Sequence, residues 1–226
     1  MNDKSVKSVK CSDLFDIDVL YITPLFNGVE YPWEVLPKIR DYCLSLFEKG
    51  LDGFHEIIPG VIVGENVTIH PSAVLIAPAV IGPGTEIRPG AYIRGSVIVG
   101  SDCVIGNSTE LKNAVLMRRV QVPHYNYVGD SVLGNRVHLG AGAVCSNFKS
   151  DGKPVVIHGE RDYTTGLRKI GGIIGDGAEI GCGCVLNPGT VIGKDTRVYP
   201  LTPVRGVIPS GVIVKSQSET VMRRED

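Results

Sequence analysis

The side chains able to move protons or bind anions are concentrated in a few polar segments of this sequence. Residues 106–113, 123–131, 138–142 and 146–147 contain histidine, glutamate, lysine, tyrosine and asparagine, and residues 145–172 add arginine and lysine. Histidine titrates near neutral pH and can transfer protons, whereas lysine and arginine bind phosphate groups. Because loops on a rigid scaffold carry function, these segments are the candidate site.

The scaffold that must position these segments is visible as a sixfold repeat over residues 63–122. An aliphatic residue recurs every six positions, and a mostly small or β-branched residue follows it four positions later. This period fits neither an amphipathic helix nor an alternating strand, and it is typical of a parallel β-helix of hexapeptide repeats. The aliphatic residues in phase are Val63, Ile69, Leu75, Ile81, Ile87, Ile93, Val99, Ile105, Leu111 and Met117.

The repeat divides the chain into three predicted parts. Residues 1–56 form an N-terminal extension, in which apolar residues at three- and four-residue spacing predict a helix over 32–49 that caps the open first coil. Residues 57–208 form the all-β solenoid, with an excursion loop at about 145–172, and residues 209–226 form a C-terminal tail. Three hexads make one coil, which gives roughly six to seven coils. Residues eighteen apart then stack, and the predicted inward columns are Ile69, Ile87 and Ile105, and Leu75, Ile93 and Leu111.

Composition limits the classes of partner. The 226 residues carry a formal charge of −1, which gives no basic bias for nucleic acid. No apolar stretch is long enough to span a membrane, and the N-terminus lacks a signal-peptide pattern. The six cysteines include no CxxC pair, and Cys103 and Cys184 fall at small-residue positions that we expect to be buried. We therefore expect a cytoplasmic protein, and its flat outer faces favour a homotrimer.

Four motifs resemble a known family. They are PHYNYVGD at 123–130, HLGAG at 138–142, EIG at 179–181 and NPGTVIG at 187–193. They resemble the C-terminal acetyltransferase domain of the bifunctional N-acetylglucosamine-1-phosphate uridyltransferase/glucosamine-1-phosphate acetyltransferase. The resemblance is greater still to the archaeal-type sugar-1-phosphate nucleotidylyltransferases with an amino-sugar acetyltransferase domain, and it covers about 57–203. It implies a left-handed β-helix trimer that uses acetyl-coenzyme A as co-substrate, with no metal in the chemistry.

The resemblance also implies roles for individual residues. His124 matches the family's catalytic histidine, which takes a proton from the acceptor amine, and Glu110 matches a carboxylate that can orient it. Lys112 matches the phosphate-binding lysine. The phosphate-binding arginine has two candidates. Arg88 matches by its Arg-Pro-Gly-Ala motif, and Arg94, which we favour, lies one coil before Lys112.

Further matches concern the sugar. Tyr127 and Asn147 match sugar-contacting positions, and Lys169 matches a phosphate-side lysine contributed by a neighbouring subunit. His138 stands where the bacterial enzymes have a substrate-contacting asparagine. This departure leaves two interpretations open, a different sugar such as galactosamine or a structural histidine.

The positions that match the coenzyme A site are partly altered. Ala141 matches through its backbone. Cys182 replaces a small hydroxyl residue and Pro200 replaces an alanine, which puts these two contacts in doubt. The uridyltransferase domain, with its glycine-rich nucleotide loop, is not found in residues 1–56. We therefore expect no nucleotidyltransferase activity from this chain on its own, and a separate nucleotidyltransferase is a candidate partner.

Three functions compete at this point. The leading prediction is acetyl transfer from acetyl-coenzyme A to an amino-sugar 1-phosphate, either glucosamine or galactosamine 1-phosphate. The alternative is a non-catalytic hexapeptide-repeat trimer that binds sugar phosphate or nucleotide sugar as a sensor or assembly partner. A third function, that of a metalloenzyme of the γ-carbonic anhydrase type, would need three histidine ligands. His124, His138 and His158 are available, but their spacing does not match that family's pattern.

Overall fold

A three-sided prism of short parallel strands forms the body of the protein. The computed structural model describes residues 8–215, and the first seven residues of the predicted extension and residues 216–226 of the predicted tail lie outside them. The predicted all-β parallel β-helix is confirmed. Within 8–215, faces 1 and 2 each contain eight parallel strands and face 3 contains seven, so the expected six to seven coils were too few.

The strands of each face follow in chain order. Face 1 contains Val61–Gly64, Ala79–Ile81, Val97–Val99, the second halves of Glu110–Leu116 and Tyr127–Leu133, Gly172–Ile174, Thr190–Ile192 and Val207–Ile208. Face 2 contains Thr68–Ile69, Glu86–Ile87, Val104–Asn107, Gln121–His124, His138–Leu139, Glu179–Ile180, Arg197–Val198 and Ile213–Val214. Face 3 contains Val74–Leu75, Tyr92–Ile93, the first halves of Glu110–Leu116 and Tyr127–Leu133, Val144–Cys145, Val185–Leu186 and Pro203–Val204.

The inward columns stack as the sixfold period predicts. Ile87 pairs with Ile69 on one side and with Ile105 on the other, and Ile93 pairs in the same way with Leu75 and Leu111. These side chains join one apolar core that runs through the prism. The thiols of Cys103 and Cys184 are buried in that core, as predicted.

The N-terminal extension is mostly helical. The predicted helix over 32–49 is present as a 3-10 helix, Pro32–Lys38, followed by an α-helix, Ile39–Lys49. Two shorter helices, Cys11–Leu14 and the 3-10 turn Thr23–Phe26, precede it. The strand Phe54–Ile58 then pairs antiparallel with the first strand of face 1.

The helix lies on the side of the prism, and the expectation that it covers the open first coil was wrong. Trp33, Leu36 and Cys43 are buried against outward side chains of face 1, among them Ile98 and Val115. The reason is that the face 1 strands carry apolar side chains on both surfaces. Packing the extension on their outer surface removes that apolar area from water.

The excursion leaves the prism after Val144–Cys145 and returns at Gly172–Ile174. It contains an antiparallel hairpin of Val156–His158 and Asp162–Thr164, and its two ends meet in an isolated bridge between Phe148 and Lys169. Val155 and Ile157 of this excursion are buried against the last strands of face 1, which include Val191 and Val207. No helix between residues 8 and 215 is long and apolar enough to cross a membrane.

Candidate functional site

A cleft of about 590 Å³ opens between face 3 and the excursion. It gathers five residues that the sequence assigned to substrate and two that it did not. The five are Arg94, Lys112, Tyr127, Asn147 and Lys169, and the two are Phe148 and Arg168.

Two bent strands position the cleft. Glu110–Leu116 and Tyr127–Leu133 each continue from face 3 around the corner into face 1. The bend falls at Asn113 and Asp130, whose backbone φ angles are both +48°. Asparagine and aspartate tolerate this left-handed conformation better than other residues with a side chain. The bend therefore brings the Asp130 carboxylate and the Asn113 amide close to the Lys112 side chain.

Asp130 is the centre of this network, and the sequence analysis missed it as a site residue. Its side chain is only 6% exposed, and both carboxylate oxygens lie 3.0 Å from Lys112 Nζ. The amides of Asn113 and Asn147 also donate to it, at 2.9 and 2.5 Å. The coil is seventeen residues long here, since Lys112 pairs with Gly129, so Asp130 lies one residue beyond the position that stacks on Lys112. The available signal was its place in the motif at 123–130.

Tyr127 and Asn147 are fixed against each other across the backbone of Gly129. The Asn147 amide donates to the Tyr127 hydroxyl at 3.1 Å. A Cβ on Gly129 would lie 2.5 Å from that hydroxyl and 2.7 Å from the Asn147 amide nitrogen, so any side chain there would displace both groups. Burial raises the pKa of the Tyr127 phenol. Tyr127 therefore remains a neutral hydrogen-bonding group in the cleft.

The cations of the cleft differ in how they are paired. The Arg94 guanidinium donates to Glu110 at 2.6 Å, a contact that raises the pKa of Arg94, and Lys112 is held by Asp130. Among residues 8–215, Arg168 and Lys169 form no ion pair. Lys169 lines the cleft of its own chain.

The structure distinguishes the two arginine candidates. Arg88 follows a face 2 strand, donates to Glu86 at 3.0 Å, and does not line the cleft. Arg94 lines the cleft together with Lys112. Of the two candidates, the structure places only Arg94 beside Lys112.

His124 lies in a column of residues along the corner between faces 2 and 3, next to Asn107 of the preceding coil. The Gly142 amide donates to the His124 carbonyl at 3.0 Å, the Gly183 amide to the Ala141 carbonyl at 2.8 Å, and the Leu201 amide to the Cys182 carbonyl at 2.8 Å. The corner positions matched to the coenzyme therefore lie on successive coils from the histidine. They are Ala141, Cys182 and Pro200.

The His124 ring is exposed and is not held by Glu110, which binds Arg94 instead. The direct orienting contact expected between Glu110 and His124 is thus not made in this arrangement. His138 points outward from face 2, where it stacks between Gln121 and Glu179, and it does not line the cleft. In the described part of the chain no three histidine, cysteine, aspartate or glutamate side chains gather as a metal site would need.

Comparison with known proteins shows which proteins parts of this chain resemble. The family model described as "GMPPB C-terminal domain" matches residues 75–162. A "Bifunctional protein GlmU" of Methanococcus maripaludis is 30% identical over 176 residues, 76% of this chain and 43% of the relative. The predicted resemblance is confirmed. A "Bifunctional sugar-1-phosphate nucleotidylyltransferase/acetyltransferase" of Sulfurisphaera tokodaii is 39% identical over 95 residues, 41% of this chain and 23% of the relative.

The extent of these matches is partial. The chain spans about half the length, or less, of the curated GlmU relatives it matches. Among solved structures, a mutant of AntD, an N-acyltransferase from Bacillus cereus in complex with dTDP and coenzyme A, aligns with a TM-score of 0.40 and 20% identity. That alignment covers 68% of this chain and 78% of AntD.

Proposed function

We propose that this protein transfers the acetyl group of acetyl-coenzyme A to the amine of an amino-sugar 1-phosphate, either glucosamine or galactosamine 1-phosphate. One observation carries the proposal. The cationic cleft on face 3 lies beside the corner column that contains His124, since His124 comes three residues before Tyr127, whose side chain lines the cleft. The curated relatives named as acetyltransferases support it.

The proposed chemistry needs little from the protein. The acceptor amine attacks the thioester carbonyl, a C–N bond forms, and the C–S bond breaks as coenzyme A leaves as a thiol. His124 accepts the proton that the amine loses and returns one to the departing sulfur. The cleft binds the anomeric phosphate and thereby orients the amine towards the corner. The column of Ala141, Cys182 and Pro200 lies along the path of the coenzyme.

The proposal extends to the setting of the reaction. We also propose that the protein is a cytoplasmic homotrimer and that a separate nucleotidyltransferase uses its product. Six cysteines without disulfides are consistent with that location. The covered outer surface of face 1 leaves faces 2 and 3 for contacts between copies.

The test is release of free thiol from acetyl-coenzyme A in the presence of glucosamine 1-phosphate or galactosamine 1-phosphate. We expect turnover with one or both, and a loss of roughly 10²–10⁴-fold in His124→Ala. His70→Ala is the matched control, because His70 is also an exposed histidine near a corner of the prism. Within residues 8–215, its ring forms a hydrogen bond only with the nearby Ser72, at 2.8 Å. It should leave turnover unchanged.

The opposite result would favour the non-catalytic alternative. If the folded protein binds an amino-sugar phosphate but releases no thiol with either sugar, the acetyltransferase proposal is wrong. Equal loss of turnover in both histidine variants would argue against a specific role for His124.

A further inference from the structure

We propose that Arg168 is a further phosphate-binding residue of the cleft, that Phe148 positions it, and that together with Lys169 it selects a dianionic phosphate monoester. The identity of the ligand as a sugar phosphate rests on the proposed function. The role of Arg168 rests on the charges and contacts of the cleft.

The first argument is the distribution of charge. Four cationic side chains line the cleft, and two of them are already paired with carboxylates. Arg94 is 2.6 Å from Glu110, and Lys112 is 3.0 Å from Asp130. Arg168 and Lys169 carry the two charges that no carboxylate compensates in the described structure. An incoming phosphate should therefore be attracted most strongly by these two side chains. The charges of Arg94 and Lys112 are already partly neutralised by their carboxylate partners.

The second argument is the position of the guanidinium. The Arg168 Cζ lies 5.9 Å from the centre of the Phe148 ring, within cation–π distance. Phe148 is bridged through its backbone to Lys169, and the Ile170 amide donates to the Asn147 carbonyl at 3.1 Å. The two ends of the excursion thus form a short antiparallel neck. This neck presents Phe148, Arg168 and Lys169 to the cleft as one unit.

The third argument is the match of charge to ligand. The two uncompensated positive charges balance the two negative charges that a phosphate monoester carries above its second pKa of about 6. A planar guanidinium can also bind two phosphate oxygens at once, which a lysine cannot. Affinity should therefore increase as the pH rises through about 6, when the phosphate becomes a dianion.

The experiment measures binding without turnover. Glucose 1-phosphate, which lacks the reacting amine, is titrated into the 226-residue chain by calorimetry at pH values of about 5 and about 7.5, on either side of the second phosphate pKa. We expect wild-type affinity to be several-fold higher at the upper pH. There, Arg168→Gln should weaken binding by roughly 10-fold or more and flatten the pH dependence, whereas Arg168→Lys should recover part of the affinity. Phe148→Leu should weaken binding by a smaller factor, and Phe148→Tyr should restore it.

Arg161→Gln is the matched control. It removes the same charge from the same excursion, but Arg161 lies on the far side, where it packs on Tyr163 and donates to Tyr31. It should leave binding unchanged. If Arg168→Gln binds glucose 1-phosphate as wild type does, or if Arg161→Gln weakens binding equally, the inference is overturned. Binding that depends on Arg168 without any acetyl transfer would overturn the proposed function and leave this inference standing.

Discussion

Lys112 Nζ lies 3.0 Å from both carboxylate oxygens of Asp130, one coil further along the prism. The carboxylate is buried and the ammonium is part-exposed. The buried Asp130 carboxylate therefore holds the Lys112 ammonium in a fixed position at the surface of the cleft. Asn147 is fixed by the same carboxylate, so one side chain sets the positions of two others in the cleft.

Asp130→Asn should loosen Lys112 and Asn147 together. It keeps the shape of the side chain and removes the charge that both donors face. We expect the free energy of unfolding to decrease by about 1–3 kcal/mol and the KM for the phosphate acceptor to increase at least several-fold, with the KM for acetyl-coenzyme A unchanged. Chemical denaturation and steady-state kinetics measure these effects. Asp195→Asn is the control, since Asp195 is exposed and has a similar φ of +53°. Equal effects at both positions would remove the special role of Asp130.

Gly129→Ala should displace Tyr127 and Asn147 from each other. The added methyl group would overlap the Tyr127 hydroxyl and the Asn147 amide. We expect a loss of about 1–3 kcal/mol in stability, and weaker binding of the sugar phosphate in the same calorimetric titration. Gly159→Ala is a milder control, because its methyl group would lie 3.2 Å from a movable Val207 methyl. Unchanged sugar phosphate binding in Gly129→Ala would show that the Tyr127–Asn147 contact is not used.

Cys182 should react with thiol reagents far faster than the other five cysteines. All six lie within residues 8–215, and Cys182 is the exposed one among them. We expect one rapid equivalent of reaction with a chromogenic disulfide in the native protein and six after unfolding. Cys182→Ser should abolish the rapid phase. If coenzyme A lies along the corner column, it should also protect Cys182, and reaction at the same rate with saturating coenzyme A would argue against that path.

Stability should decrease as the pH rises above about 9. Burial raises the pKa of the Cys103 and Cys145 thiols to about 12 in the folded protein. In the unfolded chain these thiols ionise near a pH of about 8.5. Between about pH 9 and 12 the unfolded state therefore binds fewer protons than the folded state, and the stability present below about pH 8 is progressively lost. Unfolding free energies at about pH 8 and about pH 10.5 in reducing buffer measure this loss.

Two cysteine variants separate the contribution of the buried thiols from that of other groups that titrate above about pH 9. Cys103→Ala should reduce the pH dependence, whereas Cys182→Ala, which removes an exposed thiol, should leave it as in wild type. An identical slope in Cys103→Ala and wild type would contradict the assignment to buried thiols.

The repeat was accessible from sequence because its period is nearly constant, and most of the cleft residues were accessible through the family motifs. The eighteen-residue stacking that pairs Ile69 with Ile87 also places Arg94 one coil from Lys112. Besides the number of coils and the role of Asp130, three features were not predicted. The position of the helix on face 1 depends on the outward side chains of Ile98 and Val115. The signal was a run of three apolar residues once in each coil, such as Val97–Val99.

The other two features depend on tertiary contacts. Phe148 and Arg168 meet because the excursion folds back on itself, and no periodicity describes that loop. The partner of Glu110 is Arg94, sixteen residues earlier in the chain, and the side-chain geometry that prefers it over His124 is not encoded in spacing.

The extension on face 1 changes how the β-helix is expected to unfold. A solenoid in which each coil contacts only its neighbours can lose coils one at a time from its ends. Here the Asp16 backbone amide binds the Asp176 carboxylate at 2.7 Å, and the Asp16 side chain binds Lys194 at 2.8 Å, across 160 and 178 residues of sequence. These contacts join the N-terminal extension to late coils, so we expect the array to unfold as one cooperative unit, whose folding waits for its most distant contacts to form.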